Sequence, residues 1–227
     1  MRLAVTVALV AFAAAVCAVQ AEPGFSRSVT AGLMRHYAAT IDAGAPRRLR
    51  GWQEFVRRVP LRRVADSGAS GEAALLAPVN EFFNAVAAVA DRVLWHVEDY
   101  WATPAEMLSV DGADCEDYAI AKYFTLKELG VPVAKLRLVY ARTWQAPNEA
   151  HMVLAYYESP GADPLILDNL QGGIERAAQR PDLTPVYTFN DEDVQILRAN
   201  APALHAKPTA NRKWRLLVDK LQLELAY

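Results

Sequence analysis

Cysteine is scarce in this chain of 227 residues, which has only Cys17 and Cys115. Two thiols cannot build a disulfide framework, and one thiol beside one histidine does not make a four-ligand zinc site. Long apolar runs are scarce too. The one near the start, Leu3 to Val16, is too short and too rich in alanine to favour a membrane-spanning helix. Neither charge sign dominates: the net charge is −2 and basic residues are spread along the chain, which leaves no footprint for a nucleic-acid partner. No internal repeat or low-complexity linker marks a domain boundary.

The first residues follow a different logic from the rest. Arg2 is a short positive n-region, Leu3 to Val16 an uncharged h-region, and Val19-Gln20-Ala21 offers small residues at the cleavage positions. This predicts a signal peptide at 1–21, removed after Ala21, and a single exported domain at 22–227. Val16 is a poor neighbour for a lipidated Cys17, so a soluble periplasmic protein is expected. Cleavage removes Cys17 and leaves Cys115 unpaired in a compartment that permits disulfides. An unpaired thiol there is a liability, and nucleophilic catalysis is a reason to keep it.

The chain order reads as α+β. Helical spacing covers Phe25 to Thr40, Leu49 to Val59 and a long stretch from Glu72 to about His96. Thr103-Pro104-Ala105-Glu106 is a capping box with proline at the first helical position. Arg47, Arg48, Arg50, Arg57, Arg58, Arg62 and Arg63 form a local basic stretch that reads as a solvated helix face. After Gly130 the period changes to alternation: Lys135 to Ala141, His151 to Tyr157 and Leu165 to Leu170 read as strands, with a further one at Pro185 to Phe189. Arg212 to Leu225 reads as a terminal helix with Trp214, Leu217, Val218, Leu221 and Leu225 inward.

Asp111-Gly112-Ala113-Asp114-Cys115-Glu116-Asp117-Tyr118 runs straight into a helix stopped by Gly130 and Pro132. Asp111 or Asp114 fits as N-cap, which puts Cys115 at the first turn. The helix dipole and free N–H groups there favour thiolate. The three neighbouring carboxylates oppose it. A divalent cation on Asp114, Glu116 and Asp117 would remove the conflict. Their hard oxygen atoms suit Ca²⁺, although the spacing is not that of an EF-hand.

Two further residues fall where a cysteine nucleophile needs them. The Ser159-Pro160-Gly161 turn makes the second and third strands an antiparallel hairpin, with Val153 opposite Asp168 and His151 diagonal to it. His151 is then the base for Cys115, and Asp168 orients the imidazole. Singly, each has an ordinary structural role: a buried thiol, a core histidine, a carboxylate capping a turn. The order Cys on a helix, His on a strand and Asp on the next carries more weight than any member.

Residues 114–124 (DCEDYAIAKYF), 151–156 (HMVLAY) and 167–170 (LDNL) resemble the bacterial transglutaminase-like cysteine proteinases, as do stretches at 99–106, 136–140 and 182–187. The resemblance covers roughly residues 45 to 190. It implies a papain/transglutaminase-like fold, N-terminal helices followed by an antiparallel sheet packed on the cysteine helix. It also implies a Cys115–His151–Asp168 triad, and calcium held by Asp114, Glu116 and Asp117. Such proteins cut a large surface adhesin near its N-terminus and release the cell from a biofilm. A LapD-type inner-membrane receptor for cyclic di-GMP holds them inactive. Ala113 departs from the family, which often has glycine there. Two other readings keep part of this pattern: an acyltransferase with the same triad, and a non-catalytic module that senses calcium.

Overall fold

The computed structural model describes residues 24–59, 69–144, 150–198 and 201–227. The expected signal peptide, and Arg62 and Arg63 of the basic stretch, lie outside the described residues.

Helices α1 (Phe25–Ser28), α2 (Ala31–Thr40) and α3 (Ala45–Arg58) come first. The sequence pattern runs α1 and α2 together; Thr30 separates them. Its backbone is extended and its hydroxyl accepts the Leu33 N–H at 3.1 Å, which satisfies a free donor at the start of α2. α3 buries Leu49, Trp52 and Val56. The basic stretch is not wholly solvated: Arg48 donates from Nε to the Leu108 carbonyl at 2.6 Å, while Arg58 pairs with Glu54 at the surface.

Helix α4 (Ala69–Asn84) ends well before His96. The helical pattern beyond Asn84 loses to long-range hydrogen bonds. Tyr118 donates its hydroxyl to the Val86 carbonyl at 2.7 Å, and the Val89 N–H donates to Ala113 O at 2.8 Å. The chain there forms β1 (Ala87–Ala88) and the short α5 (Asp91–Leu94). Next comes α6 (Pro104–Val110), with the expected capping box between Thr103 and Glu106. Asp111 closes α6 in the left-handed region at φ 57°. β2 (Gly112–Ala113) then pairs parallel with β1 and delivers the chain to α7 (Cys115–Glu128).

The remaining strands are β3 (Leu136–Thr143), β4 (Ala150–Tyr156), β5 (Leu165–Leu167), β6 (Glu175–Arg176), β7 (Leu183–Phe189), β8 (Val194–Arg198) and β9 (Ala201–Ala206). They form one antiparallel sheet in the order β6-β5-β4-β3-β7-β8-β9. β8 and β9 fall in a region that the sequence pattern left unread. Helix α8 (Arg212–Glu224) follows. It buries Trp214, Leu217 and Leu221, but Leu225 lies past its end and is 46% exposed, against expectation.

α7 is buried over most of its length because α4 covers one side and β3 and β4 the other. Its inner residues Ile120, Tyr123 and Leu126 are fully buried. Trp52 of α3 donates its indole N–H to Thr125 Oγ1 at 3.0 Å, and Phe124 stacks on Trp214 of α8 with ring centroids 5.5 Å apart. Helices from both ends of the chain therefore fix the helix that carries Cys115. Leu126→Ala should cost about 2–5 kcal/mol in urea unfolding. Leu216→Ala, on the exposed side of α8, should stay within about 0.5 kcal/mol.

Candidate active site

Cys115 is the first residue of α7, and Asp114 rather than Asp111 is its N-cap. Asp117, one turn in, accepts the Asp114 N–H at 3.5 Å and the Ala102 N–H at 2.7 Å, so it ties the helix start to the strand of chain before α6. Ala113 carries no left-handed φ among the described residues and packs fully buried in β2, so the alanine is accommodated without strain.

The β4–β5 register sets Leu154 opposite Leu167, which places Val153 opposite Asp168 as expected. His151 Nε2 lies 2.9 Å from Asp168 Oδ1, and both side chains are buried. Asp168 Oδ1 also accepts the Leu170 N–H at 3.0 Å, while Asn84 of α4 donates to the Asp168 carbonyl at 2.8 Å. Because Nε2 is committed to Asp168, Nδ1 is the imidazole atom left for a nucleophile.

Cys115 Sγ meets the start of β4 on either side of His151. It lies 3.9 Å from Ala150 O, and the backbone of Met152 favours its thiolate. Cys115 and His151 share a cleft of about 290 Å³ with Trp101, Tyr140 and Tyr187, and Lys213 and Asp99 form an ion pair across its rim. Sequence reading missed Asp99, Asn211 and Lys213 as cleft residues. The last two come from the N-terminus of α8, beyond the recognisable motifs.

Electrostatics at the helix tip favour protonated groups. Burial first, then the charge of Glu116 and its 3.1 Å contact with Sγ, push the Cys115 thiol far above its ordinary range; the Met152 N–H pulls it down. Burial and the charge of Asp114 raise Glu116 to about 8, and burial and Asp91 raise Asp114 to about 6. Burial also raises Asp117 and Asp91.

Carboxylate oxygens of Asp91, Asp114 and Asp117 lie within 4.8 Å of one another, and Glu116 belongs to neighbouring groups with Asp114 and Cys115 and with Asp91 and Asp99. Asp91 Oδ1 and Asp114 Oδ1 are buried without a hydrogen-bond partner among the described residues. Crowded, unsatisfied hard oxygens are a donor set that fits Ca²⁺. Asp114 and Asp117 thus come together as expected, with Asp91 added. Asp91 was hidden inside a helical pattern, and only the break after Asn84 brings it here.

Behind the imidazole, Arg180 donates from Nη2 to Asp168 Oδ2 at 2.8 Å, and Asp182 in turn pairs with Arg180. Burial opposes ionisation of Asp168, but the His151 and Leu170 hydrogen bonds and Arg180 overcome it and hold the carboxyl below its usual range. Lys122 of α7 is fully buried, its Nζ has no hydrogen-bond partner among the described residues, and burial lowers it to about 7 against the pull of Asp168.

A carboxyl held low in the folded state contributes stability that is present above its unfolded value near 3.9 and lost as pH falls below it. Asp168→Asn also strips a buried arginine of one partner, at about 3 kcal/mol or more. In urea unfolding the gap between wild type and variant should be widest at pH 6–7 and narrow below about pH 4.

Residues 61–189 match the family model described as "Bacterial transglutaminase-like cysteine proteinase BTLCP". Among curated proteins no sequence matches the chain. Among solved structures, EGTA-treated Legionella pneumophila LapG is similar at 34% identity and TM-score 0.68, over 83% of this chain and 95% of that one. The calcium-bound form of Legionella pneumophila LapG is similar at 34% identity and TM-score 0.65, over 83% of this chain and 97% of that one. A cysteine at a half-buried helix tip, in one cleft with an imidazole held by a carboxylate, thus occurs in a chain that belongs to the bacterial transglutaminase-like cysteine proteinase family.

Proposed function

We propose that this chain is an exported, calcium-dependent cysteine endopeptidase that cuts a large surface adhesin near its N-terminus and so controls attachment in a biofilm. The observation that carries the chemistry is that Cys115, its Sγ 3.9 Å from Ala150 O, shares one cleft with an imidazole whose Nε2 is held by Asp168. In this reading Cys115 attacks the scissile carbonyl as thiolate. His151 takes the thiol proton on Nδ1 and returns it to the leaving amine, and water then hydrolyses the acyl-enzyme. Asp168 fixes the tautomer and stabilises the imidazolium. The Cys115 backbone N–H, free at a helix start, is the first donor for the oxyanion.

Asp114, Glu116 and Asp117 are the proposed calcium residues, with Asp91 joining them through its unpartnered oxygen. A bound divalent cation would supply positive charge where Glu116 and Asp114 otherwise suppress the thiolate. The calcium-bound and EGTA-treated forms of the similar LapG support this part of the proposal. Export to the periplasm is supported by the charge and apolar pattern of residues 1–21. Inhibition by a LapD-type cyclic-di-GMP receptor in the inner membrane rests on the family resemblance.

Cys115→Ala should lower cleavage of a recombinant N-terminal adhesin fragment by at least about 10³-fold, with thermal unfolding unchanged. Mass spectrometry should find two fragments, the new C-terminus a free carboxylate; an isopeptide cross-link would instead identify an acyltransferase. EGTA should suppress cleavage and added Ca²⁺ restore it. Asp91→Asn should raise the Ca²⁺ needed for half-maximal cleavage about tenfold or more, and cleavage that resists EGTA refutes the calcium role.

A further inference from the structure

Asp168 has two oxygens, and the structure divides them. Oδ1 takes His151 Nε2 and the Leu170 N–H, while Oδ2 takes Arg180 Nη2 at 2.8 Å. Arg180 comes from the segment between β6 and β7 and is 5% exposed. Its Nε and Nη2 also meet Asp182 Oδ1 and Oδ2 at 2.9 and 2.8 Å. Rotation of the Asp168 carboxylate would break charge-assisted bonds on both sides. A guanidinium stays charged even when buried. An imidazolium formed on His151 therefore faces an anion with a permanent cation directly behind it.

We propose that Arg180 is a positioning residue of the active centre, which locks Asp168 with Oδ1 toward His151 and offsets part of the negative charge that stabilises the imidazolium. Asp182 moderates the offset by sharing the same guanidinium. The role differs from that of Asp168 itself: Arg180 acts on the imidazole only through the carboxylate that it orients and partly neutralises.

The other charged and titratable groups around the pair come from every packed element. Lys122 reaches Asp168 electrostatically from α7. Cys115, Glu116, Asp99, Lys213, Tyr140 and Tyr187 share the cleft with His151. Cys115 is replaced identically in every protein compared below and the other groups are unchanged, so the differences between variants isolate the Arg180 contribution. The catalytic meaning rests on the protease reading, but the electrostatic claim is measured without it.

The test follows the His151 ring by NMR across pH in Cys115→Ala protein, with the resonance assigned by its loss in His151→Gln. Arg180→Met should move the midpoint of the ring titration up by about one to two pH units. Asp182→Asn should move it down by a smaller amount, and Arg180→Lys should leave it within about half a unit. Opposite shifts from the two sides of one ion pair are not produced by general loosening of the fold. An unmoved midpoint in Arg180→Met, or shifts of the same sign in Arg180→Met and Asp182→Asn, overturns the proposal. If Arg180→Met does not fold, Asp182→Asn decides: a downward shift supports the assignment and none overturns it. Because the measurement is made without the thiol, it judges Arg180 even if the wild-type protein cleaves nothing.

Discussion

The start of the Cys115–Glu128 helix is where two electrostatic demands meet, and much of the structure is arranged around their conflict. Free N–H groups at the helix tip favour an anion, and the chain supplies more anions than one tip can hold. Asp114 and Glu116 lie within a few ångströms of the thiol, and Asp91 and Asp117 crowd Asp114 in turn. Burial prevents water from screening them, so each raises the cost of ionising the next. Sequence distance is no guide to this crowding: Asp91 arrives from a separate helix, carried in by the β1–β2 pair and the backbone bond from Val89 to Ala113.

On the other side of the thiol, the charges alternate. From the cleft inward the order is imidazole, Asp168, Arg180, Asp182, and each is bonded to the next. A single buried carboxylate would be expensive. Buried in series with Arg180, it keeps its charge and its orientation, and Asn84 fixes the backbone that carries it. The helical layer thus contributes to both ends of the site: α7 brings Cys115, and α4 steadies Asp168 behind it.

Most of the site was legible from short-range pattern, because short-range pattern is what positions it. The register that joins His151 to Asp168 depends on a turn composition and a period of two, both visible in residues 150–170. The cap at Asp114 and the box at Thr103 and Glu106 are local in the same sense. What stayed hidden was set by contacts between distant segments. The pattern from Glu72 to His96 is helical throughout, and only Tyr118 and Ala113 pull Val86 and Val89 out of it. Arg180 and Lys213 look like surface residues until the sheet and α8 bring them to Asp168 and to the cleft. Strands β8 and β9 add to the far edge of the sheet, where a weak alternating pattern becomes a strand because β7 offers an unpaired edge.

The sulfur's two backbone neighbours, Ala150 O and the Met152 N–H, belong to a strand whose ladder to β3 does not depend on which side chains it carries. The setting of the thiol on this side is therefore main chain, whereas the cleft walls Trp101, Tyr140, Tyr187 and Lys213 are side chains from other segments. The backbone around the thiol and the side chains of the cleft walls are thereby held on separate parts, and a descendant of this chain can alter those walls while the main chain beneath them is inherited intact.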